Sequence, residues 1–189
     1  MNRNQRNSDG RSAAVPRKQR APLYTPSQRL RRDASKWTLV QGVLAPVQFL
    51  VFLVSVGLVL RYLSTGDGLA VATASVVVKT LVLYAIMVTG CIWEKVVFDR
   101  WLFAPAFFWE DVFSMLVLAL HTAYLFALAT DALAARGLML LALSAYASYA
   151  INAAQFVWKL RMARLDMARL DEAASRSPAL RGNAGEAAA

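Results

Sequence analysis

WTLVQGVLAPVQFLVFLVSVGLVL, residues 37–60, runs for 24 residues without a charged side chain. A helix needs about 20 apolar residues to cross about 30 Å of hydrocarbon, so this stretch reads as a membrane span. Three further blocks meet the same requirement, at residues 69–93, 107–129 and 137–158. Between them lie short connections, STGDG at 64–68 and TDALAARG at 130–137. Short links make neighbouring helices antiparallel. The expected fold is an all-α membrane protein, a four-transmembrane-helix antiparallel bundle.

The rest of the chain is polar, basic or small. It divides into a disordered basic tail at 1–25, a transmembrane domain at 26–165 and a flexible tail at 166–189. Pro16, Pro22 and Pro26 interrupt any long helix at the start, and the Arg, Asn and Ser around them cannot build a core. TPSQ at 25–28 is a helix start, with Thr25 as N-cap, Pro26 at the first helical position and Gln28 at the third. A short basic helix is therefore expected to run from Pro26 along the headgroups into the first span. The first 20 residues carry charge with no apolar region behind them, so no cleavable signal peptide is expected.

Basic residues set the orientation. Ten precede Trp37, two lie in the central loop and six run from Lys159 onward, against Arg61 and Arg136 alone in the two opposite loops. Both termini and the central loop should be cytoplasmic. The formal charge of +9 on 189 residues would suggest nucleic acid on a soluble surface; flanking membrane spans, it suggests anionic lipid instead, and no nucleic-acid partner is expected. Cys91 is the sole cysteine and His121 the sole histidine. An internal disulfide, a thiolate cluster and a multi-histidine metal centre are thereby excluded.

The third block carries an apparent defect: Glu110 and Asp111 lie one turn inside a hydrophobic span, where carboxylates are costly. The bundle gives them company. Glu94 ends the second span at the same level, Gln41 and Gln48 share a face of the first, and Asn152 and Gln155 lie near the inner end of the fourth. Four helices thus aim hydrogen-bonding groups at the cytoplasmic half, as in a bundle furnished for a polar ligand or reaction. Glu110, Ser114 and His121 form one stripe, with His121 about 16 Å deeper by the helical rise. Lys79 falls at a similar depth.

Each residue also has a plainer reading. Glu94, Lys95, Asp99 and Arg100 can form an interfacial charge network, and Glu110 and Asp111 can be helix-start carboxylates facing water. Gln41, Gln48, Asn152 and Gln155 can be interhelical ties, Lys79 can snorkel outward, and His121 can satisfy a neighbouring helix. The tyrosines at 146 and 149 and the tryptophans at 37, 93, 101 and 158 suit interface or packing positions. Residue types and spacing alone name no substrate.

Three stretches go further: KWTLVQGVLAPVQFLVFLVS at 36–55, VVKTLVLYAIMVTGCIWEKVVFDRWLFAPAFFWEDVFSMLVLALHTAYL at 77–125 and YAINAAQF at 149–156. Together they resemble the vinyl bacteriochlorophyllide hydratases of phototrophic bacteria, over about residues 22–165. The resemblance implies a hydro-lyase adding water to the C3-vinyl group of chlorophyllide or bacteriochlorophyllide, giving 1-hydroxyethyl on the way to bacteriochlorophyll a. It implies a bacterial inner or intracytoplasmic photosynthetic membrane, with neighbouring pigment-biosynthesis enzymes as candidate partners. It brings no catalytic residues with it.

The chemistry assigns those. Hydrating a vinyl group requires a proton on the terminal carbon and water at the internal one, which a carboxylic acid and a carboxylate can supply. The candidate catalytic residues are Glu110, Asp111 and Glu94, with Glu110 the favoured proton donor and Asp111 the favoured water holder. Adjacent side chains point about 100° apart on a helix, so the true partner of either acid can be Glu94 or His121. His121, Gln41, Asn152 and Gln155 are the candidate substrate contacts. No protein-bound cofactor or metal is expected; magnesium enters within the macrocycle, with His121 or a water as its axial ligand. The alternative is a non-catalytic pigment-binding or assembly protein, which would leave the acids without a task.

Overall fold

In the computed structural model, residues 23–186 are described, with side chains placed as far as residue 169 and at Glu172. The expected basic tail at 1–25 therefore falls almost wholly outside the described residues. Five helices follow: α1 (Pro26–Ala34), α2 (Lys36–Thr65), α3 (Leu69–Phe98), α4 (Phe108–Ala129) and α5 (Ala135–Glu186). Four are long and apolar enough to cross a membrane: α2, α3, α4 and the Ala135–Arg169 portion of α5.

The Thr25 side chain accepts from the Gln28 N–H and the Gln28 side chain accepts from the Thr25 N–H, closing the capping box that the sequence announced. α1 does not continue into the first span. Ser35 adopts an extended backbone and its hydroxyl accepts from the Trp37 N–H at 3.2 Å, starting a new helix. A serine offers the backbone an alternative partner, and here that ends one helix and caps the next. α2 then runs through Pro46 without a break.

α2 and α3 overrun their apolar blocks, adding residues 61–65 and 94–98. Their link is tight because Gly66 and Gly68 have φ of +80° and +85°, a left-handed conformation that glycine adopts without a Cβ penalty. α5 remains helical through 166–186, which composition alone read as tail.

α2 packs chiefly on α3, and α4 on α5. Gln41 donates to Thr89 at 2.7 Å, and 14 residues on in α2 and 14 back in α3, Ser55 and Ser75 share a hydrogen bond of 2.7 Å. Ser55 also bonds the Tyr146 hydroxyl, which ties α5 to that pair. Val59, Val76, Tyr124, Met139 and Tyr146 fill one end of the interior; Tyr24, Val97 and Phe107 fill the other. Leu50, Val54, Val71, Leu81, Val88, Leu116, Phe126 and Val157 all face outward. An apolar exterior around a partly polar interior is the arrangement a hydrocarbon solvent favours.

Candidate active site

The connection from α3 to α4, residues 99–107, folds back over the ends of both helices. Phe103 takes a φ of +57°, which costs a side-chain-bearing residue about 1–2 kcal/mol. Two carboxyl groups hold the turn. The Phe103 N–H donates to Asp111 Oδ2 at 2.9 Å, and the Ala104 N–H donates to Glu94 Oε2 at 3.2 Å. Glu94 and Asp111 are both buried, and by holding the consecutive amides of residues 103 and 104 they come to the same turn from two helices.

Glu110 turns elsewhere. Its Oε2 meets Lys159 Nζ of α5 at 2.6 Å, with 10% of the Glu110 side chain and 26% of the Lys159 side chain exposed. The same ammonium lies 4.9 Å from the Phe107 ring centre. The angular separation of adjacent helical residues explains the division: Asp111 faces α3 and Glu110 faces α5. Lys95 pairs with Asp99 at 2.7 Å in an exposed i,i+4 bridge, and that hydrogen bond and charge hold Asp99 below the usual carboxylate range. Glu94 points away from this surface pair, so the expected four-residue interfacial network resolves into one exposed bridge and one buried acid.

Around the acids stands an aromatic wall. Phe107 stacks on Phe156 and meets Trp93 and Phe98 edge-on, and Tyr24 stacks on Phe98. Trp93 Nε1 donates to Thr38, whose hydroxyl donates to the Arg32 carbonyl, so the wall is tied to α1 and α2. Trp101 and Trp158 are exposed, as interface residues are.

Deeper in the bundle, Asn152 Nδ2 donates to Ser114 Oγ at 2.8 Å. The carbonyl oxygens of Asn152 and Gln155 are buried without a partner among the described residues, as is that of Gln48. Gln41 is occupied by Thr89 and serves as an interhelical tie. His121 is fully buried, and its Nδ1 lies 2.8 Å from the Val117 carbonyl. A carbonyl only accepts, so Nδ1 carries a proton, and in the neutral imidazole Nε2 keeps a lone pair; Nε2 has no partner among the described residues. Lys79 does not snorkel. It is 0% exposed, with Nζ 3.9 Å from the Tyr149 ring centre, because its place on α3 faces α5 rather than lipid.

Two members of the site were not singled out from sequence. Lys159 was counted with the carboxyl-terminal basic residues, although Asn152, Gln155 and Lys159 at i, i+3 and i+7 share a helix face. The backbone amides of 103 and 104 left no trace in the residue types.

Membrane-length helices with carboxyl groups drawn into their interior furnish a site at which proton-transfer chemistry can take place. The 2-vinyl bacteriochlorophyllide hydratase family model matches residues 24–162, and the chain belongs to that family. The match includes every candidate site residue. A 2-vinyl bacteriochlorophyllide hydratase of Cereibacter sphaeroides is 69% identical over 146 residues, covering 77% of this chain and 90% of its own. The protein of that name from Rhodobacter capsulatus is 62% identical over 152 residues, covering 80% and 88%. No solved structure matches the chain.

Proposed function

We propose that this enzyme adds water to the vinyl group of chlorophyllide or bacteriochlorophyllide, with Glu94 and Asp111 as a proton-sharing pair. The observation that carries the reading is their meeting from two helices at the mouth of the bundle, in a chain of the hydratase family. In this reading the two carboxyl groups hold one proton between them. That proton goes to the terminal vinyl carbon, forming the methyl group and leaving positive charge on the carbon next to the conjugated ring. Water bonds to that carbon, and its surplus proton returns to the carboxylate just formed. The pair ends as it began. No electrons are transferred, so neither nicotinamide nor flavin is required.

Glu110 has a different task. Its carboxylate is engaged by the Lys159 ammonium 2.6 Å away, on the α5 side of α4 and apart from the Glu94–Asp111 turn. It fixes α4 against α5 and thereby positions Asp111. The free carbonyl oxygens of Asn152 and Gln155 are the polar contacts for substrate or water, and Gln41 acts through the helix packing it secures. His121 Nε2 would act as a positioning group from the interior side of α4, with a water as the ligand of the magnesium that arrives inside the macrocycle. A pigment carrier would use that nitrogen equally well, but would leave the carboxyl pair idle.

The arrangement in the membrane is an antiparallel bundle with both termini cytoplasmic, in the bacterial inner or intracytoplasmic photosynthetic membrane. Residues 26–165 form the hydratase domain, flanked by tails at 1–25 and 166–189. Lipid and neighbouring pigment-biosynthesis enzymes are its surroundings. Reporter fusions after residue 36, near 103 and after 165 should read cytoplasmic, and those near 66 and 134 periplasmic. A periplasmic signal near 103 would put the carboxyl pair on the wrong side.

The reaction itself is tested by incubating membranes that contain the protein with the 3-vinyl substrate and no nucleotide. A product heavier by one water supports hydration. Pigment that is bound and recovered unchanged supports the carrier.

A further inference from the structure

We propose that the lipid-facing seam between α3 and α4 is the macrocycle's binding groove, entered sideways from the bilayer. This rests on the hydratase reading above and extends it to the place where the ring lies. α3 and α4 each pack mainly on another helix, and between them runs a groove of about 340 Å³ lined by Tyr84, Met87, Val88, Leu118 and Thr122. That volume is within the usual range for a small-molecule site, about 300–1,000 Å³.

Register connects the groove to the carboxyl pair. Met87 and Glu94 lie seven residues apart on α3, and Leu118 and Asp111 lie seven apart on α4. Seven residues are nearly two turns, so each residue shares its helix face with its acid, about 10 Å away along the axis. The groove and the acids therefore occupy one continuous seam. At its far end the Tyr84 and Thr122 hydroxyls bond each other at 2.8 Å, about 15 Å from the acids by the same rise.

A flat, apolar ring carrying a vinyl group on one pyrrole and a carbonyl on the opposite one matches this layout. The vinyl meets Glu94 and Asp111, the ring lies on Met87 and Leu118, and the carbonyl oxygen accepts from Tyr84, since the Thr122 hydroxyl already donates to the Leu118 carbonyl. An apolar substrate dissolved in lipid reaches such a seam without crossing water. Val88 stands at the lip of the groove, 61% exposed.

Val88→Trp adds bulk where the ring would sit and disturbs no packed neighbour. Val78→Trp, at a lipid-facing position outside the groove, is the control, and Tyr84→Phe removes the hydroxyl donor. Macrocycle binding is read from the pigment's absorption shift on titration into purified protein, and turnover is measured separately. We expect Val88→Trp to weaken binding and raise KM at least tenfold with kcat within threefold of the parent. Tyr84→Phe should raise KM without lowering kcat, and Val78→Trp should change neither. Folded Val88→Trp and Tyr84→Phe proteins that both bind like the parent would overturn the groove while leaving hydration intact. A parent that binds pigment through this seam and hydrates none would instead remove the catalytic reading.

Discussion

Asp111→Asn is expected to lower turnover at least about 100-fold while membrane insertion and pigment binding survive, since positioned proton transfer typically contributes about 10²- to 10⁴-fold. The amide keeps the shape of the side chain and can still accept the Phe103 N–H, so the 99–107 connection retains its anchor. What it removes is the second half of the shared proton. Glu94→Gln should have the same effect for the same reason, and the double variant should be little worse than either single one, because two groups acting as a unit lose their function together. Glu110→Gln should retain turnover within about tenfold of the parent, an effect below the range for a lost proton-transfer group. Turnover measured on folded, pigment-binding variants checks this set. Near-parental rates for both Asp111→Asn and Glu94→Gln would return the pair to a purely structural role, holding the loop.

Lys159→Met is expected to destabilise the protein by about 2–3 kcal/mol, because it strands the Glu110 carboxylate in a buried position without its partner. The figure is at the low end for buried pairs because the ammonium is 26% exposed and already partly screened. Adding Glu110→Gln should restore most of the loss, since removing both charges leaves nothing stranded. Denaturant unfolding in detergent, applied as a double-mutant cycle, gives the coupling directly. If Lys159→Met is neutral, the ion pair does not hold α5 to α4 and Glu110 becomes available again as a proton donor.

The four spans were legible because length and apolarity are the quantities hydrocarbon selects, and the cap at Thr25 because its residue types admit few other readings. The helix ends were less legible. Glu94 and Lys95 interrupt the apolar run, yet α3 continues through them to Phe98 since the backbone bonds are satisfied whatever the side chain. The meeting of acids was visible only as a level. Spacing placed Glu94, Glu110 and Asp111 at one depth, but partners follow from rotation about each axis, and that depends on which helices pack. Hence Asp111 found Glu94 while Glu110 found Lys159. Lys79 shows the same limit: a lysine in a span reads as a snorkelling residue until its face is known to meet Tyr149. The amides of Phe103 and Ala104 lay beyond any reading of side chains, because a strained turn supplied them.

The most direct test is hydration of the 3-vinyl substrate in a mixture of deuterium oxide and heavy-oxygen water, run in parallel with the parent and with Asp111→Asn. Proton delivery to the terminal carbon followed by water addition predicts that the parent's product carries solvent deuterium on its new methyl group and solvent oxygen in its hydroxyl. It also predicts that the Asp111→Asn protein returns bound vinyl pigment almost entirely unchanged. A product hydroxyl without solvent oxygen, or a variant that labels the product at the parent's rate, would contradict hydration by the Glu94–Asp111 pair.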